Sequence, residues 1–105
     1  MEGILINNII KENFCNRFSS SVSINGCSLQ IINNSIVFNT ANIQPGISTV
    51  GGIAADQDQS IIMNNIVWGN DGDDQIGPST NLDVVYCDVE GGYPGIGNID
   101  IYPEF

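Results

Sequence analysis

Five aspartates make up the densest group of chemically capable side chains in this 105-residue sequence: Asp56, Asp58, Asp71, Asp73 and Asp74. Carboxylates in such number suit a hard cation such as Ca²⁺, which takes several oxygen ligands at about 2.3–2.6 Å. A solvated acidic turn is the other reading of the same residues. Asp56 and Asp58 are two apart, so on a strand they share a face, as the paired carboxylates of a glycoside hydrolase do. Trp68 and Tyr86, with Tyr93 and Tyr102, offer rings on which a sugar could stack, although aromatic residues equally serve as core or cap. Against these stands what the sequence lacks. It has no histidine and two basic residues, Lys11 and Arg17. A histidine triad and a His-ligated zinc site are excluded, and a Ser or Cys nucleophile has no base. A nucleic-acid surface, which needs clustered Lys and Arg, is also excluded.

The charge is unevenly spread. Residues 1–50 carry Glu2, Glu12, Lys11 and Arg17 and are net neutral, so residues 51–105, without a single base, carry the whole formal charge of −10. Cys15, Cys27 and Cys87 form no C-x-x-C pair and are too few for a disulfide scaffold, so they read as small buried thiols. A 42% hydrophobic and 13% charged composition belongs to a folding chain of one domain. Met1 to Asn8 lack a basic stretch followed by an apolar run, so no signal peptide is expected there, and no apolar stretch approaches the ~20 residues of a membrane span.

The elements that must position these side chains announce themselves by repetition. Ile6-Asn7-Asn8-Ile9-Ile10-Lys11-Glu12-Asn13 matches Ile32-Asn33-Asn34-Ser35-Ile36-Val37-Phe38-Asn39, and both match Met63-Asn64-Asn65-Ile66-Val67-Trp68-Gly69-Asn70. The offsets are 26 and 31 residues, without gaps. A weaker fourth copy, Tyr86-Cys87-Asp88-Val89-Glu90-Gly91-Gly92, aligns at an offset of 23. Val22-Ser23-Ile24-Asn25 lines up with Ile53-Ala54-Ala55-Asp56. A period of this length marks stacked repeats. Short Ile/Val runs bounded by Asn, Gly, Ser and Asp are strand and turn signals, and the helix formers Ala, Lys and Glu are scarce. A buried amide needs partners. Equivalent asparagines stacked at the ~4.8 Å strand spacing supply them to one another, so Asn8, Asn34 and Asn65 are expected to form a ladder at a bend.

These repeats resemble the right-handed parallel β-helix of the pectate-lyase-like superfamily, particularly its members with Asn ladders. The stretch Val84 to Gly95, followed by Gly97-Asn98-Ile99-Asp100 and Pro103-Glu104-Phe105, is similar to the last coil and exit segment of secreted bacterial β-helix proteins. The resemblance implies an all-β solenoid of about four coils, near 1–18, 19–49, 50–73 and 74–92, with a cap at 93–105. It also implies a secreted or cell-surface setting. It is specific for fold and open for function, because the superfamily holds lyases, hydrolases, adhesins and others. Its lyases combine calcium on acidic residues with a basic residue that abstracts a proton, and this sequence has no base beyond Arg17.

On that frame, runs 3–6, 20–25, 52–56 and 74–77 are expected to stack as one column. Runs 29–32, 60–63 and 82–86 form a second, and 9–12, 35–38 and 66–68 a third. Inward columns are expected to be Ile4 with Ile31 and Ile62, and Val22 with Ile53. Ile36 and Val37, like Val67 and Trp68, compete for the inward position, because apolar residues occupy both parities. Residues 40–51 read as an inserted loop. The C-terminal tail can cover the last coil, whereas the first coil has no cover. The expectation is a non-catalytic structural or interaction module that pairs with a second copy through its N-terminal coil. The rival is a polysaccharide-binding or polysaccharide-degrading protein.

Overall fold

The computed structural model describes residues 2–15, 21–25, 28–41, 50–56, 59–78 and 82–105. Among these, every regular element is a strand and every strand pair is parallel. Dense Ile and Val favour a pleated backbone, and the Asn, Gly, Ser and Asp between them stop each strand after a few residues.

The first sheet contains β1 (Glu2–Ile6), β5 (Ser28–Ile32), β9 (Ile61–Met63) and β12 (Asp83–Val85), in that order. The second contains β2 (Ile9–Lys11), β6 (Ser35–Val37), β10 (Ile66–Trp68) and β13 (Asp88–Val89), stacked in the same sense. A third holds β4 (Val22–Asn25), β8 (Val50–Asp56) and β11 (Asp74–Pro78), and a fourth pairs β3 (Phe14–Cys15) with β7 (Thr40–Ala41). Parallel neighbours cannot be joined by a hairpin, so the chain visits the other sheets before returning to the first. Glu2 lies beside Ser28, Gln30 beside Ile61, and Ile61 beside Asp83, so each tier is set by the distance to the next Asn-bearing segment.

The core lies between the sheets. Leu5, Ile31, Ile62 and Val84 stack along the first sheet, and Ile10, Ile36, Val67 and Val89 along the second. Val22, Ile53 and Ile76 stack along the third, with Ile24 beside them in the core. Val22 and Ile53 are in register, as expected from sequence.

Three sequence expectations are corrected. The run 3–6 does not join 20–25, 52–56 and 74–77; as β1 it joins β5, β9 and β12. The inward residue of β1 is Leu5, not Ile4, which pairs with Gln30 and is 66% exposed. Both parities of β1 are apolar, so alternation does not choose between them. The repeat offset does: counting back three residues from Asn8, Asn34 and Asn65 gives Leu5, Ile31 and Ile62, which are in register. Finally, the fourth copy is offset by 22 residues, not 23, so Cys87 rather than Asp88 lies across from Asn65. Asp88 resembles Asn in shape, but it sits in β13 beside Ile66.

The competition in the third runs also resolves. Ile36 and Val67 point inward, whereas Trp68 lies on the outer face and is half-buried. Val37 lies on the outer parity yet is only 3% exposed. The chain's own C-terminus packs against aromatic residues beside it. Tyr102 meets Trp68 edge-on at 5.9 Å, and Phe105 meets Phe38 at 5.3 Å and Tyr102 at 6.3 Å. Of the loop expected at 40–51, Thr40 and Ala41 form β7 and Val50 opens β8, and the remainder lies outside the described residues.

Candidate functional site

Among the described residues, positive φ recurs at two equivalent corners along the stacked segments. The first corner is taken by Asn7, Asn33, Asn64 and Tyr86, at φ 59°, 58°, 56° and 53°. The second is taken by Glu12, Phe38 and Gly69, at 55°, 55° and 66°. Asn tolerates this left-handed conformation better than most residues, which accounts for the first Asn of each pair. Where an aromatic residue takes the corner, its ring lies over a glycine of the next segment. The place of a side chain on Gly69 is filled by the Phe38 ring, and that on Gly97 by the Tyr86 ring.

The second Asn of each pair does different work. Asn8 donates its backbone N–H and its side-chain Nδ2 to Oδ1 of Asn34, at 2.9 and 3.2 Å. Asn34 donates the same two groups to Oδ1 of Asn65, at 2.9 and 3.1 Å. In return, Nδ2 of Asn34 donates to the Leu5 carbonyl at 2.9 Å, and Nδ2 of Asn65 to the Ile31 carbonyl at 2.7 Å. Asn34 and Asn65 are 2% and 1% exposed. A buried polar group left without a partner costs about 1–3 kcal/mol. Repetition satisfies these amides where an isolated buried Asn would stay unmet.

A second ladder runs five residues further on. Asn13 donates N–H and Nδ2 to Oδ1 of Asn39 at 3.1 and 3.0 Å, and Asn39 donates likewise to Asn70 at 3.1 and 2.7 Å. Nδ2 of Asn39 and of Asn70 reach back to the carbonyls of Ile10 and Ile36. The signal was present in the sequence, because each matched copy ends on Asn13, Asn39 or Asn70.

Both ladders are closed at their C-terminal end by residues outside the repeat pattern. In the first, Cys87 takes the amide's place. Its Sγ accepts from the backbone N–H of Asn65 at 3.5 Å, and its own N–H donates to Oδ1 of Asn98 at 2.9 Å. Asn98 then donates to the Val84 carbonyl, repeating the bond that Asn65 makes to Ile31. Burial pushes the Cys87 thiol above its ordinary pKa, because a thiolate there would be desolvated. Burial likewise raises the Tyr93 phenol. In the second ladder, Oε1 of Gln75 accepts from N–H and Nδ2 of Asn70 at 3.3 and 2.9 Å. Gln75 is placed there by a register shift between β8 and β11, where Gly51 and Gly52 together face Gln75 alone. A side chain on Gly52 would meet the Gln75 carbonyl and Cγ1 of Val67.

The tail completes the closure. The backbone N–H groups of Tyr86 and Val89 donate to the carbonyls of Ile96 and Ile99 at 2.9 and 3.0 Å. At the opposite end, β1, β2, β3 and β4 each lie at the edge of their sheet. Asn8 and Asn13 are exposed there, and among the described residues neither Oδ1 receives a hydrogen bond. Beside this edge, a groove of about 380 Å³ is lined by Glu2, Ile4, Gln30, Gln59 and Ile61.

The aspartates and aromatic residues picked out from sequence belong to several segments of the chain. Asp71, Asp73 and Asp74 are exposed at and after the turn that precedes β11, Asp56 ends β8, and Asp58 lies outside the described residues. Among the described residues, no three Cys, Asp or Glu side chains group so as to hold a metal ion. Trp68 packs on Tyr102 and Tyr86 on Gly97, so the two rings have different neighbours. Cys87 is buried and free, the backbone of Cys15 lies in β3, and Cys27 lies outside the described residues. Comparison with family models, with curated proteins and with solved structures finds no match.

Proposed function

We propose that the chain is a right-handed parallel β-helix of about four coils, pectate-lyase-like in architecture, and that it works as a non-catalytic structural or interaction module pairing with a second copy through its N-terminal edge. The observation that carries this reading is the asymmetry of the two ends of the sheets. The C-terminal tail bonds to Tyr86 and Val89 at one end, while β1 and β2, with Leu5 and Ile10 only partly buried, lie at the sheet edges of the other. Right-handedness follows from the strong preference of parallel crossover connections. An open sheet edge is a template for pairing unless it is covered or charged.

Charge favours the same end. The formal charge of −10 falls entirely on residues 51–105, so contact through the first coil brings net-neutral surfaces together and keeps the acidic parts apart. Residues 51–105 hold no His, Lys or Arg, so the lyase pattern of acidic residues with a basic proton acceptor is not met there.

Light scattering across a concentration series tests the pairing. A mass rising from 11.3 kDa toward twice that value supports it, and a concentration-independent 11.3 kDa species refutes it. A screen against acidic and neutral glycans, with and without Ca²⁺, tests the non-catalytic reading. Release of unsaturated sugars would replace it with a lyase. Glycan binding lost in Asp71→Asn or Trp68→Ala would replace it with a polysaccharide-binding module.

A further inference from the structure

The ladders have a direction, and the direction says what the open edge takes. In both, a backbone N–H and an amide Nδ2 of one tier point toward the C-terminal end, and the Oδ1 of the next tier receives them. The N-terminal edge is therefore the acceptor end. Asn8 and Asn13 each have their donors engaged with the tier below, at Asn34 and Asn39, and each holds out an Oδ1. Resting on the coil reading above but not on self-association, we infer that this edge binds a separate polypeptide segment laid parallel to β1 and β2. That segment carries an asparagine at each of two positions five residues apart.

The partner's chemistry is fixed by what the edge lacks. Asn8 Oδ1 needs an N–H and an Nδ2 at about 3 Å, the pair that Asn34 Oδ1 already receives at 2.9 and 3.2 Å. Asn13 Oδ1 needs the same pair, as Asn39 Oδ1 receives it at 3.1 and 3.0 Å. The same partner would receive a donor in return, because the tier below always sends an Nδ2 to the carbonyl three residues before the partner's Asn. Its apolar residues would continue the columns that now end at Leu5 and Ile10, both only partly buried. An extended strand added to a sheet edge in this way gains main-chain hydrogen bonds, and the side-chain pockets give it specificity.

A second copy related by a two-fold axis meets these needs only in part. It covers Leu5 and Ile10, but it brings Asn8 and Asn13 toward their own equivalents, so acceptor faces acceptor. A parallel segment satisfies both the apolar columns and the ladders, and it displaces such a copy. A head-to-tail copy is blocked, because the C-terminal edge is already occupied by Asn98 and the tail.

The test uses the full chain, ¹⁵N-labelled, and a synthetic peptide with the chain's own residues 2–13. Saturable binding is expected, with shifts concentrated in residues 2–15 and a loss of any dimer in favour of a one-to-one complex. A peptide with Asn8→Asp and Asn13→Asp keeps its shape but replaces donors with acceptors, and it is expected to bind at least about tenfold more weakly. A scrambled peptide is expected not to bind. The inference is overturned if the peptide fails to bind, if the doubly substituted peptide binds equally well, or if residues 2–15 move to random-coil positions because the peptide has replaced them. The coil reading has its own readout in the same spectra. Slowly exchanging side-chain amides of Asn34 and Asn65 are expected without peptide, and fast exchange there would refute the coils themselves.

Discussion

The two residues of each Asn-Asn pair are the same amino acid doing different physical work, and substitution separates them. Asn65 accepts from N–H and Nδ2 of Asn34 and donates to the Ile31 carbonyl at 2.7 Å, all at 1% exposure. Replacing Asn65 with Ala leaves the Asn34 N–H buried without its partner and takes a side-chain bond from the Ile31 carbonyl, which stays in the strand ladder. At about 1–3 kcal/mol for the orphaned N–H and about 1 kcal/mol for the lost bond, the expected loss is about 3 kcal/mol. Asn64 is its neighbour in sequence, but its side chain is exposed and its backbone sits at φ 56°. Asn64→Ala is expected to cost about 1 kcal/mol, for holding a Cβ-bearing residue in the left-handed region, and Asn64→Gly is expected to be close to neutral. Asn65→Gly, by contrast, loses as much as Asn65→Ala or more. Asn8→Ala, at the exposed end of the same ladder, is expected to cost under about 1 kcal/mol. Urea unfolding followed by far-ultraviolet circular dichroism and by Trp68 fluorescence gives each value from the midpoint at constant slope. Equal losses for Asn64→Ala and Asn65→Ala, or a loss under about 1 kcal/mol at Asn65, would refute the division of labour.

Other perturbations follow from the same geometry. Cys87→Asn places an amide where a weakly accepting sulfur now meets the Asn65 N–H at 3.5 Å, and it is expected to raise stability by about 1 kcal/mol in the same urea assay. The raised pKa of Cys87 means that the folded state holds its proton more tightly than the unfolded chain. Its contribution is therefore complete below about pH 8.5 and is lost as pH rises from there through the folded value; an alkaline decline in midpoint, shallower in Cys87→Asn, checks this. Gly52→Ala sets a methyl against the Gln75 carbonyl and Val67, with an expected cost of about 1–3 kcal/mol measured by thermal unfolding. Tyr102→Ala removes the ring that meets Trp68, so the emission of Trp68 is expected to shift to longer wavelength with little change in far-ultraviolet dichroism.

Much of the architecture is written in local chemistry. Ile and Val runs interrupted by Asn and Gly are enough for an all-β chain, and the ungapped copies around Asn8, Asn34 and Asn65 give the spacing of 26 and 31 residues at which parallel strands meet. The second ladder was equally visible, since Asn13, Asn39 and Asn70 close the same copies. Other features had no local signal. A thiol does not resemble an amide, so nothing in the fourth copy marked Cys87 as the residue beneath Asn65, and Asp88 drew the alignment one residue too far. Gln75 enters its ladder only because two glycines of β8 oppose it, a matter of register between distant segments.

The sequence by itself determined that strands would form and that they would stack in parallel, because propensity and repetition act over a few residues or at a fixed period. The sequence also held which residue of β1 turns inward, because the repeat offsets of 26 and 31 carry Leu5 onto Ile31 and Ile62. The tertiary structure alone decided that Trp68 and Phe38 meet the chain's own Tyr102 and Phe105, and that one end of the stack is closed by Asn98 while the other holds out its acceptors. Such contacts join residues at least 11 positions apart, beyond the reach of local propensity.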